Sequence, residues 1–196
     1  MLAALVILGA YLCGSVPTGV WLGWLAGVDV RRVGSGNIGA TNVARTAGLR
    51  PALFTLAGDI TKGLVPTAVA RVLWSDPWLI ALVALAAFCG HIFSVFLRFS
   101  GGKGVATGFG VCLALAPGAA AVAAGVFGLA AVATRYVSLA AVIAATTLPL
   151  MTAVLGSALP VTGAAAFIAA TIVIRHRSNL ARLRRGAEPK FQVKKA

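Results

Sequence analysis

Acidic residues are scarce in this chain of 196 residues, which has 4 Asp and Glu against 17 Lys and Arg and a net charge of +13. Asp29, Asp59, Asp76 and Glu188 are scattered, so no neighbouring carboxylates are placed to hold a metal ion. The 2 histidines and 3 cysteines are also dispersed, without the spacing of a zinc site or a disulfide framework. We therefore expect neither a metal nor a cofactor.

Charged residues of both signs make up only 11% of the chain, whereas 60% of the residues are hydrophobic and the mean hydropathy is +0.96. A water-soluble domain of this size could not bury so much apolar surface. A disordered chain, a nucleic-acid-binding domain and a soluble enzyme core are therefore poor fits. The composition indicates an all-α integral membrane protein with several spanning helices.

Seven apolar runs predict a polytopic bundle of seven transmembrane helices. They lie near 1–28, 51–74, 77–97, 104–116, 118–134, 137–156 and 160–174. Because a hydrocarbon core about 30 Å thick takes roughly 20 residues to cross, the fourth and seventh runs are short. They must borrow flanking residues, lie in a thinned region or enter without crossing. No Lys or Arg precedes the first run, which we interpret as one helix of the mature protein rather than a signal peptide.

Lys and Arg residues orient this predicted bundle, because all of them except Lys62 and Arg71 fall on one side. They lie in the loop 29–50, the loop near 98–103, the turn at Arg135 and the tail 175–196. The positive-inside rule makes that side cytoplasmic, with the N-terminus outside and the C-terminus inside. We expect a single membrane domain over 1–196, whose residues 175–196 form a cytoplasmic basic tail.

Two Gly-rich segments on the predicted cytoplasmic side are typical of anion sites, since glycine lets backbone N–H groups face an oxyanion while polar side chains add hydrogen bonds. The residues that we expect to bind phosphate are Gly34, Gly36, Asn37, Thr41, Asn42 and Arg45 in the first segment, and Gly101, Gly102, Lys103, Gly104 and Thr107 in the second. The second segment is not a Walker A loop, because Gly104 follows Lys103. The alternatives are a flexible connecting loop and a Gly-rich turn with an interfacial lysine.

His176 and Asn179 follow the last apolar run and would share one face of a helix. A basic cluster beside a membrane is commonly a topology signal or a lipid contact, but neither role needs these two residues. Asp59 and Lys62 form an i,i+3 pair within the second run. Such a pair is costly in a membrane unless it is buried, so it braces the bundle or contacts a substrate.

These segments, in this order, resemble the bacterial glycerol-3-phosphate acyltransferases that use acyl phosphate, the PlsY type. The residues that carry the likeness are 34–42, 58–63, 90–91, 101–107 and 175–180, within a similarity over about residues 10–185. The resemblance implies a seven-helix enzyme of the bacterial inner membrane, with its active site facing the cytoplasm. It also implies functional positions at Ser35, Arg45, Lys103, His176 and Asn179, with Ser35, His176 and Asn179 as the catalytic set.

The activity that the resemblance implies is transfer of a fatty acyl group from acyl phosphate to the sn-1 hydroxyl of glycerol 3-phosphate. The products are lysophosphatidic acid and phosphate, in the first step of phospholipid synthesis. The expected partners are these two substrates and membrane lipid, with neither nucleic acid nor an obligate protein partner.

Two mechanisms are compatible with these residues. In direct transfer, Lys103 and Arg45 hold the glycerol phosphate group, and Ser35 with loop amides holds the acyl phosphate. His176 and Asn179 then orient the attacking hydroxyl or the leaving phosphate. In the rival mechanism Ser35 is a covalent nucleophile with His176 as its base. Ser35 does not lie in a G-x-S-x-G elbow, which favours direct transfer.

Three other functions compete with acyl transfer. An anion transporter predicts polar residues deep along a path, whereas the middles of most runs are Ala, Leu and Val. A structural lipid-binding scaffold leaves the Gly-rich segments unexplained. A phosphatidyl-type alcohol transferase needs several carboxylates on one helix to hold metal, and the sequence has no such group.

Overall fold

The computed structural model describes residues 1–191, and this part of the chain is helical. The helices are α1 (Leu2–Ser15), α2 (Thr18–Leu25), α3 (Ala40–Thr46), α4 (Leu49–Leu73), α5 (Pro77–Ile92), α6 (Val105–Leu115), α7 (Pro117–Thr134), α8 (Val137–Val154), α9 (Leu159–Arg175) and α10 (Arg177–Arg184). A short 3-10 helix, Val95–Leu97, lies between α5 and α6. Of the predicted basic tail, Lys194 and Lys195 lie outside the described residues.

The first apolar run contains two helices where we predict one, and together they form a single candidate span, Leu2–Leu25. Pro17 has no amide hydrogen and its ring obstructs the preceding turn, so α1 ends at Ser15 and α2 begins at Thr18. The break frees the carbonyl of Val16, which accepts a hydrogen bond of 2.8 Å from the Lys62 ammonium of α4. A polar contact thereby joins α4 to the middle of an apolar segment.

Several segments are long and apolar enough to cross a membrane, as the composition predicts. Within residues 1–191 they are Leu2–Leu25, Pro77–Leu97, Pro117–Thr134 and Val137–Val154. The pair α9 and α10, bent by 54°, makes a fifth when the two helices are taken together. Helix α6 has only 11 residues, as expected for the short fourth run, whereas α4 has 25 residues but carries buried charges. The count of seven spans stays a prediction.

Glycines let neighbouring helices approach closely, which is how helices associate where lipid removes the hydrophobic driving force. A Cβ atom on Gly14 of α1 would lie 1.9 Å from the carbonyl oxygen of Ala87 of α5. A Cβ atom on Gly63 of α4 would lie 2.3 Å from the carbonyl oxygen of Thr107 of α6. Both distances are far below van der Waals contact, so the helices could not pack this way with alanine at either position.

The largest hydrophobic cluster lies where α5, α6, α7, α8 and α9 meet. Phe88, Val111 and Ile168 are fully buried in it, and Leu148 and Ile172 are nearly so. The loop between α5 and α6 rests on this cluster, because a Cβ atom on Gly104 would lie 2.5 Å from the Phe88 ring. Gly104 also has a φ of +82°, a conformation that favours glycine. The core thus fixes where α6 begins.

Candidate active site

A cavity of about 890 Å³ brings together segments that are far apart in the sequence. Ten of the predicted site residues line it: Gly34, Ser35, Asn37, Thr41, Asn42, Arg45, Lys103, Gly104, His176 and Asn179. Further walls come from α6, α7 and α8, where the lining residues are almost entirely apolar. The cavity therefore has a polar end, formed by the loops and α10, and an apolar part that continues between helices.

Asn42 holds the first Gly-rich segment in place through its side chain. Its side chain is 1% exposed, its Nδ2 donates to the carbonyls of Val30 (2.8 Å) and Val33 (3.2 Å), and its Oδ1 accepts from the Ser35 amide (2.9 Å). These contacts use both amide donors of the side chain. A Cβ atom on Gly34 would lie 2.4 Å from Asn42 Oδ1, which explains the glycine. The structure thus gives Asn42 a role in shaping the loop, while its phosphate-binding role stays a prediction.

Ser35 is exposed at the polar end of the cavity. The Asn37 amide donates to Ser35 Oγ over a long 3.5 Å. Among residues 1–191, no hydrogen bond joins Ser35 Oγ to His176; the His176 Nδ1 instead lies 2.8 Å from the carbonyl of Ile172. The serine hydroxyl is thus presented to the cavity without the paired base that a nucleophilic serine uses.

Lys103 and Asn179 meet at the polar end, although they are 76 residues apart in sequence. The Lys103 ammonium donates a hydrogen bond of 2.5 Å to Asn179 Oδ1. Burial lowers the pKa of Lys103 to about 8; nearby Arg182 and Arg45 act in the same direction, and Glu188 opposes them. A half-buried ammonium with few water contacts is a strong partner for a phosphate oxyanion.

Helix α6 begins beside Lys103 and contributes to the same end of the cavity. Gly104, Val105 and Ala106 all line it. The first amide groups of a helix have no partners within the helix and carry a partial positive charge, which favours an anion nearby. Helix α6 begins at Val105, directly after the second Gly-rich segment and at the start of the fourth apolar run, 104–116.

Gly101 and Gly102 lie outside the cavity lining, contrary to the prediction that they bind phosphate. Their amides donate to the carbonyls of Ile92 and His91, each over 3.1 Å, while their own carbonyls accept from the Arg175 guanidinium. A Cβ atom on Gly102 would lie 2.3 Å from His91 Nε2. Both glycines therefore let the loop pack tightly against α5, and their phosphate-binding role stays a prediction.

Gly36 and Thr107, also predicted to bind phosphate, lie away from the cavity lining as well. The Gly36 amide donates to the carbonyl of Val33 (3.2 Å), and its φ of +70° forms part of a turn. Thr107 is fully buried in α6, with its carbonyl against Gly63 of α4. The structure gives these two residues roles in the loop turn and in the helix interface, and their phosphate-binding roles stay predictions.

Glu188 is the site residue that sequence reasoning missed. It is 7% exposed, and its carboxylate accepts from Ser138 Oγ (2.7 Å), Asn179 Nδ2 (2.6 Å) and Arg182 Nε (2.8 Å). Burial raises the pKa of Glu188, but the three hydrogen bonds outweigh burial and hold it below its ordinary value. The available signal was a lone acid in a strongly basic tail, where a cationic partner is close in sequence.

Arg45 connects the first Gly-rich segment to the C-terminal segment, because its Nη2 donates to the carbonyl of Pro189 over 3.2 Å.

The positive charge near the polar end of the cavity is smaller than the number of Lys and Arg residues suggests. Asp29 pairs with Arg31 (2.9 Å) and Arg32 (3.5 Å), and the hydrogen bond from Arg31 lowers the pKa of Asp29 to about 2. Of the cations that line the cavity, Arg182 is paired with Glu188, whereas Arg45 and Lys103 have no acidic partner among residues 1–191.

The Asp59–Lys62 pair is buried, as its position within an apolar run requires. Lys62 Nζ lies 2.8 Å from Asp59 Oδ1, which also accepts from Thr18 Oγ1 over 2.5 Å. His91 is 3% exposed, with its Nδ1 3.7 Å from the same carboxylate oxygen. Asp59 and His91 line the cavity and Lys62 does not. The contacts of this group with α2 and with the carbonyl of Val16 favour the bracing role.

The chemistry of the cavity suits an amphiphilic anion. Across residues 1–191, no three His, Cys, Asp or Glu side chains come together in a way that could hold a metal ion. The polar end instead offers an ammonium, guanidinium groups, a hydroxyl and an amide. The adjoining apolar wall would accept a hydrocarbon chain.

Comparison with known proteins gives one consistent result. The family model of glycerol-3-phosphate acyltransferase matches residues 4–186. A glycerol-3-phosphate acyltransferase of Trichlorobacter lovleyi is 51% identical, covering 95% of this chain and 96% of that protein. Its namesake in Rubrobacter xylanophilus is 48% identical, covering 97% and 96%.

A solved structure is similarly close. The crystal structure of PlsY, an integral membrane glycerol 3-phosphate acyltransferase, in its glycerol 3-phosphate form has a TM-score of 0.95 to this chain at 39% identity, covering 98% of this chain and 96% of that one. Its lysophosphatidic acid form has a TM-score of 0.92 at 38% identity, with the same coverage. The chain therefore belongs to the glycerol-3-phosphate acyltransferase family and is a multi-pass membrane acyltransferase of the PlsY type.

Proposed function

We propose that this enzyme transfers a fatty acyl group from acyl phosphate to the sn-1 hydroxyl of glycerol 3-phosphate, giving lysophosphatidic acid and phosphate as the first step of phospholipid synthesis. The observation that carries the proposal is the single cavity, in which Lys103, Arg45 and Ser35 share the polar end and apolar walls continue between helices. The solved relatives are a glycerol 3-phosphate form and a lysophosphatidic acid form, which have one polar and one amphiphilic occupant.

The glycerol 3-phosphate end of the site is assigned to four residues. Lys103 and Arg45 bind the phosphate group, because both are half-buried cations that line the cavity. His176 and Asn179 orient the attacking hydroxyl. Asn179 is held in one orientation by the Lys103 ammonium on its Oδ1 and by a buried carboxylate on its Nδ2.

The acyl phosphate is assigned to Ser35, Asn37, Thr41 and the start of α6, which line the cavity with Lys103. The hydroxyl oxygen of glycerol 3-phosphate attacks the acyl carbon, and the bond between that carbon and the phosphate oxygen breaks. The hydroxyl proton goes to a substrate phosphate oxygen. Because a mixed anhydride is already activated, positioning and charge stabilisation supply the catalysis.

Direct transfer is favoured over a covalent Ser35 intermediate by the missing hydrogen bond between Ser35 Oγ and His176 in the described chain. The two mechanisms differ in what acyl phosphate does alone. We expect mass spectrometry of protein incubated with acyl phosphate to show no mass added at Ser35, and steady-state kinetics to show both substrates bound together. An acyl-Ser35 adduct with ping-pong kinetics would establish the covalent mechanism instead.

The topology assigned to the enzyme has seven spans in the bacterial inner membrane, with the N-terminus outside, the active site and the C-terminus cytoplasmic, and one domain over 1–196. In a variant without native cysteines, an impermeant thiol reagent should label Ser157→Cys in intact cells. Arg184→Cys should react only after lysis. The reverse pattern would invert the topology. The enzyme is also expected to work without an obligate protein partner.

The most direct test of the proposed function is to identify the acyl donor. Purified protein in detergent is given glycerol 3-phosphate with acyl phosphate, acyl-CoA or acyl carrier protein as donor, with and without a chelator. We expect lysophosphatidic acid from acyl phosphate alone, acylated at sn-1 and unaffected by the chelator. Turnover with acyl-CoA and none with acyl phosphate would refute the assigned donor.

A further inference from the structure

One face of α8 forms a continuous wall of the cavity. Its lining residues Ala141, Ala144, Ala145 and Leu148 have the i, i+3, i+4, i+7 spacing of a single helical face. Phe109 of α6 and Ala123, Ala124 and Phe127 of α7 also line the cavity. The first three residues of the α8 wall are small, and the fourth is large.

This wall leads from the polar end into the bundle. Ser138, near the start of α8, donates a hydrogen bond to Glu188 and so marks the polar end. Leu148 follows ten positions later, which places it about 15 Å further along the helix axis. An extended alkyl chain advances about 1.25 Å per carbon, because its bonds are about 1.5 Å long and tetrahedral. The wall therefore has the length of about 12 carbons.

The cavity borders the packed core at its apolar end, where Leu148 is the last α8 residue of the lining. This residue lines the cavity but is only 4% exposed, and it belongs to the same hydrophobic cluster as Ala120 and Ile168, which are fully buried and do not line the cavity. Three further residues belong to both sets: Ala145 of α8, Ala123 of α7 and Ile172 of α9. Of the two on α8, Leu148 has the larger side chain and lies further from the polar end. The space that the alanines leave open is thus closed by a leucine.

We propose that Leu148 is a specificity-determining residue that limits the length of the acyl chain which the enzyme transfers. The inference rests on the proposed function, since it takes the occupant of the apolar part to be the acyl chain of the donor. The reacting carbonyl must lie beside Lys103 and Ser35 at the polar end, so the attached chain runs along the α8 wall toward Leu148. A longer chain must displace Leu148 or bend away.

The first test is Leu148→Ala, assayed with a series of saturated acyl phosphates that lengthen in steps of two carbons. Losing three carbon atoms from the end of the wall should move the preferred chain length up by about two carbons. The matched control is Leu150→Ala, in the same helix but with a side chain 63% exposed on the outside. Leu150→Ala should retain the chain-length profile of the unmodified enzyme.

A second variant adds volume to the wall instead of opening the core. Ala145 lies seven positions beyond Ser138, about 10 Å along the axis, so Ala145→Leu should move the preference to chains of about 8 carbons. If Leu148→Ala fails to fold, Leu148→Val replaces it and should give a smaller shift in the same direction. Profiles that superimpose on the unmodified enzyme for folded, active variants at both positions would overturn the inference.

The preference among acyl chains of different length can be measured with either class of donor, acyl phosphate or acyl-CoA. If the unmodified enzyme proves to use acyl-CoA, the proposed donor is wrong, and the same variants are assayed with a CoA series. A shift in that series would still support the role of Leu148. A normal acyl phosphate activity with unshifted profiles would reject the role of Leu148 and leave the proposed function in place.

Discussion

The two Gly-rich segments resemble each other in sequence but act differently in the structure. Residues 34–42 are held by their own Asn42 and present several polar side chains to the cavity. Residues 101–104 are held from outside, by Arg175 and by the carbonyl groups at the end of α5, and present chiefly Lys103. Most glycines in both segments serve turns and close packing. We therefore expect the substrate anion to contact mainly side chains and the start of α6.

The largest effect on this comparison is expected from Lys103→Ala. Removing the half-buried ammonium takes away a charged partner of the substrate phosphate, so kcat/KM for glycerol 3-phosphate should fall at least about 100-fold, or about 2.7 kcal/mol. Arg184→Ala is the control, because Arg184 is exposed on α10 and does not line the cavity. Equal losses in the two variants would count against the assigned site.

Asn42→Ala tests the internal support of the first segment. It leaves the buried carbonyl of Val30 without its partner, at about 1–3 kcal/mol. The carbonyl of Val33 and the amide of Ser35 also lose their partner, but water can reach them, so the cost there is smaller. We expect a lower melting temperature together with a loss of kcat of about tenfold to 100-fold. If kcat fell while the melting temperature stayed unchanged, Asn42 would act on the substrate rather than on the loop.

Gly102→Ala tests the external support of the second segment. The added Cβ atom would lie 2.3 Å from His91 Nε2, so the loop must move and carry Lys103 with it. KM for glycerol 3-phosphate should rise about tenfold, with a smaller change in kcat. The matched control is Gly125→Ala, because a Cβ atom there meets nothing within 4 Å. A normal KM for Gly102→Ala would show that this loop adapts without displacing Lys103.

Much of the site could be predicted because its residues are unusual for their surroundings. A polar, Gly-rich stretch stands out in an apolar chain, and so do Lys103 and His176 beside membrane helices. The hydrogen-bond partners could not be predicted, since Gly101 and Gly102 look like phosphate-binding residues until the carbonyls of His91 and Ile92 are seen to occupy their amides. Local sequence specifies which groups exist, whereas tertiary packing decides which are free.

Glu188 and the first apolar run also show what the local sequence does not predict. The basic tail suggests a cationic partner for Glu188, but its burial could not be predicted, because Ser138, which also donates to it, is 50 positions away. In the first run, the apolar composition of 1–28 predicts one helix, whereas Pro17 breaks it into two. The second to seventh apolar runs each correspond to one helix, α4 to α9. Such runs are recognisable because a helix that crosses lipid must be predominantly apolar along its whole length, whatever its partners.

The smallest expected effect is on the pH dependence of activity, which distinguishes Lys103 from the arginines around it because only the lysine loses its charge near pH 8. The pKa of Lys103 is lowered from 10.5 to about 8, so the free enzyme carries this charge below pH 8 and loses it above. Since phosphate binding needs the ammonium form, kcat/KM for glycerol 3-phosphate should stay level between about pH 7 and 8, where the substrate phosphate is a dianion, and then fall toward tenfold per pH unit. Lys103→Arg keeps its charge at high pH, so its profile should remain flat there even if its activity is lower. A decline above pH 8 that persists in Lys103→Arg would assign the titration to another group.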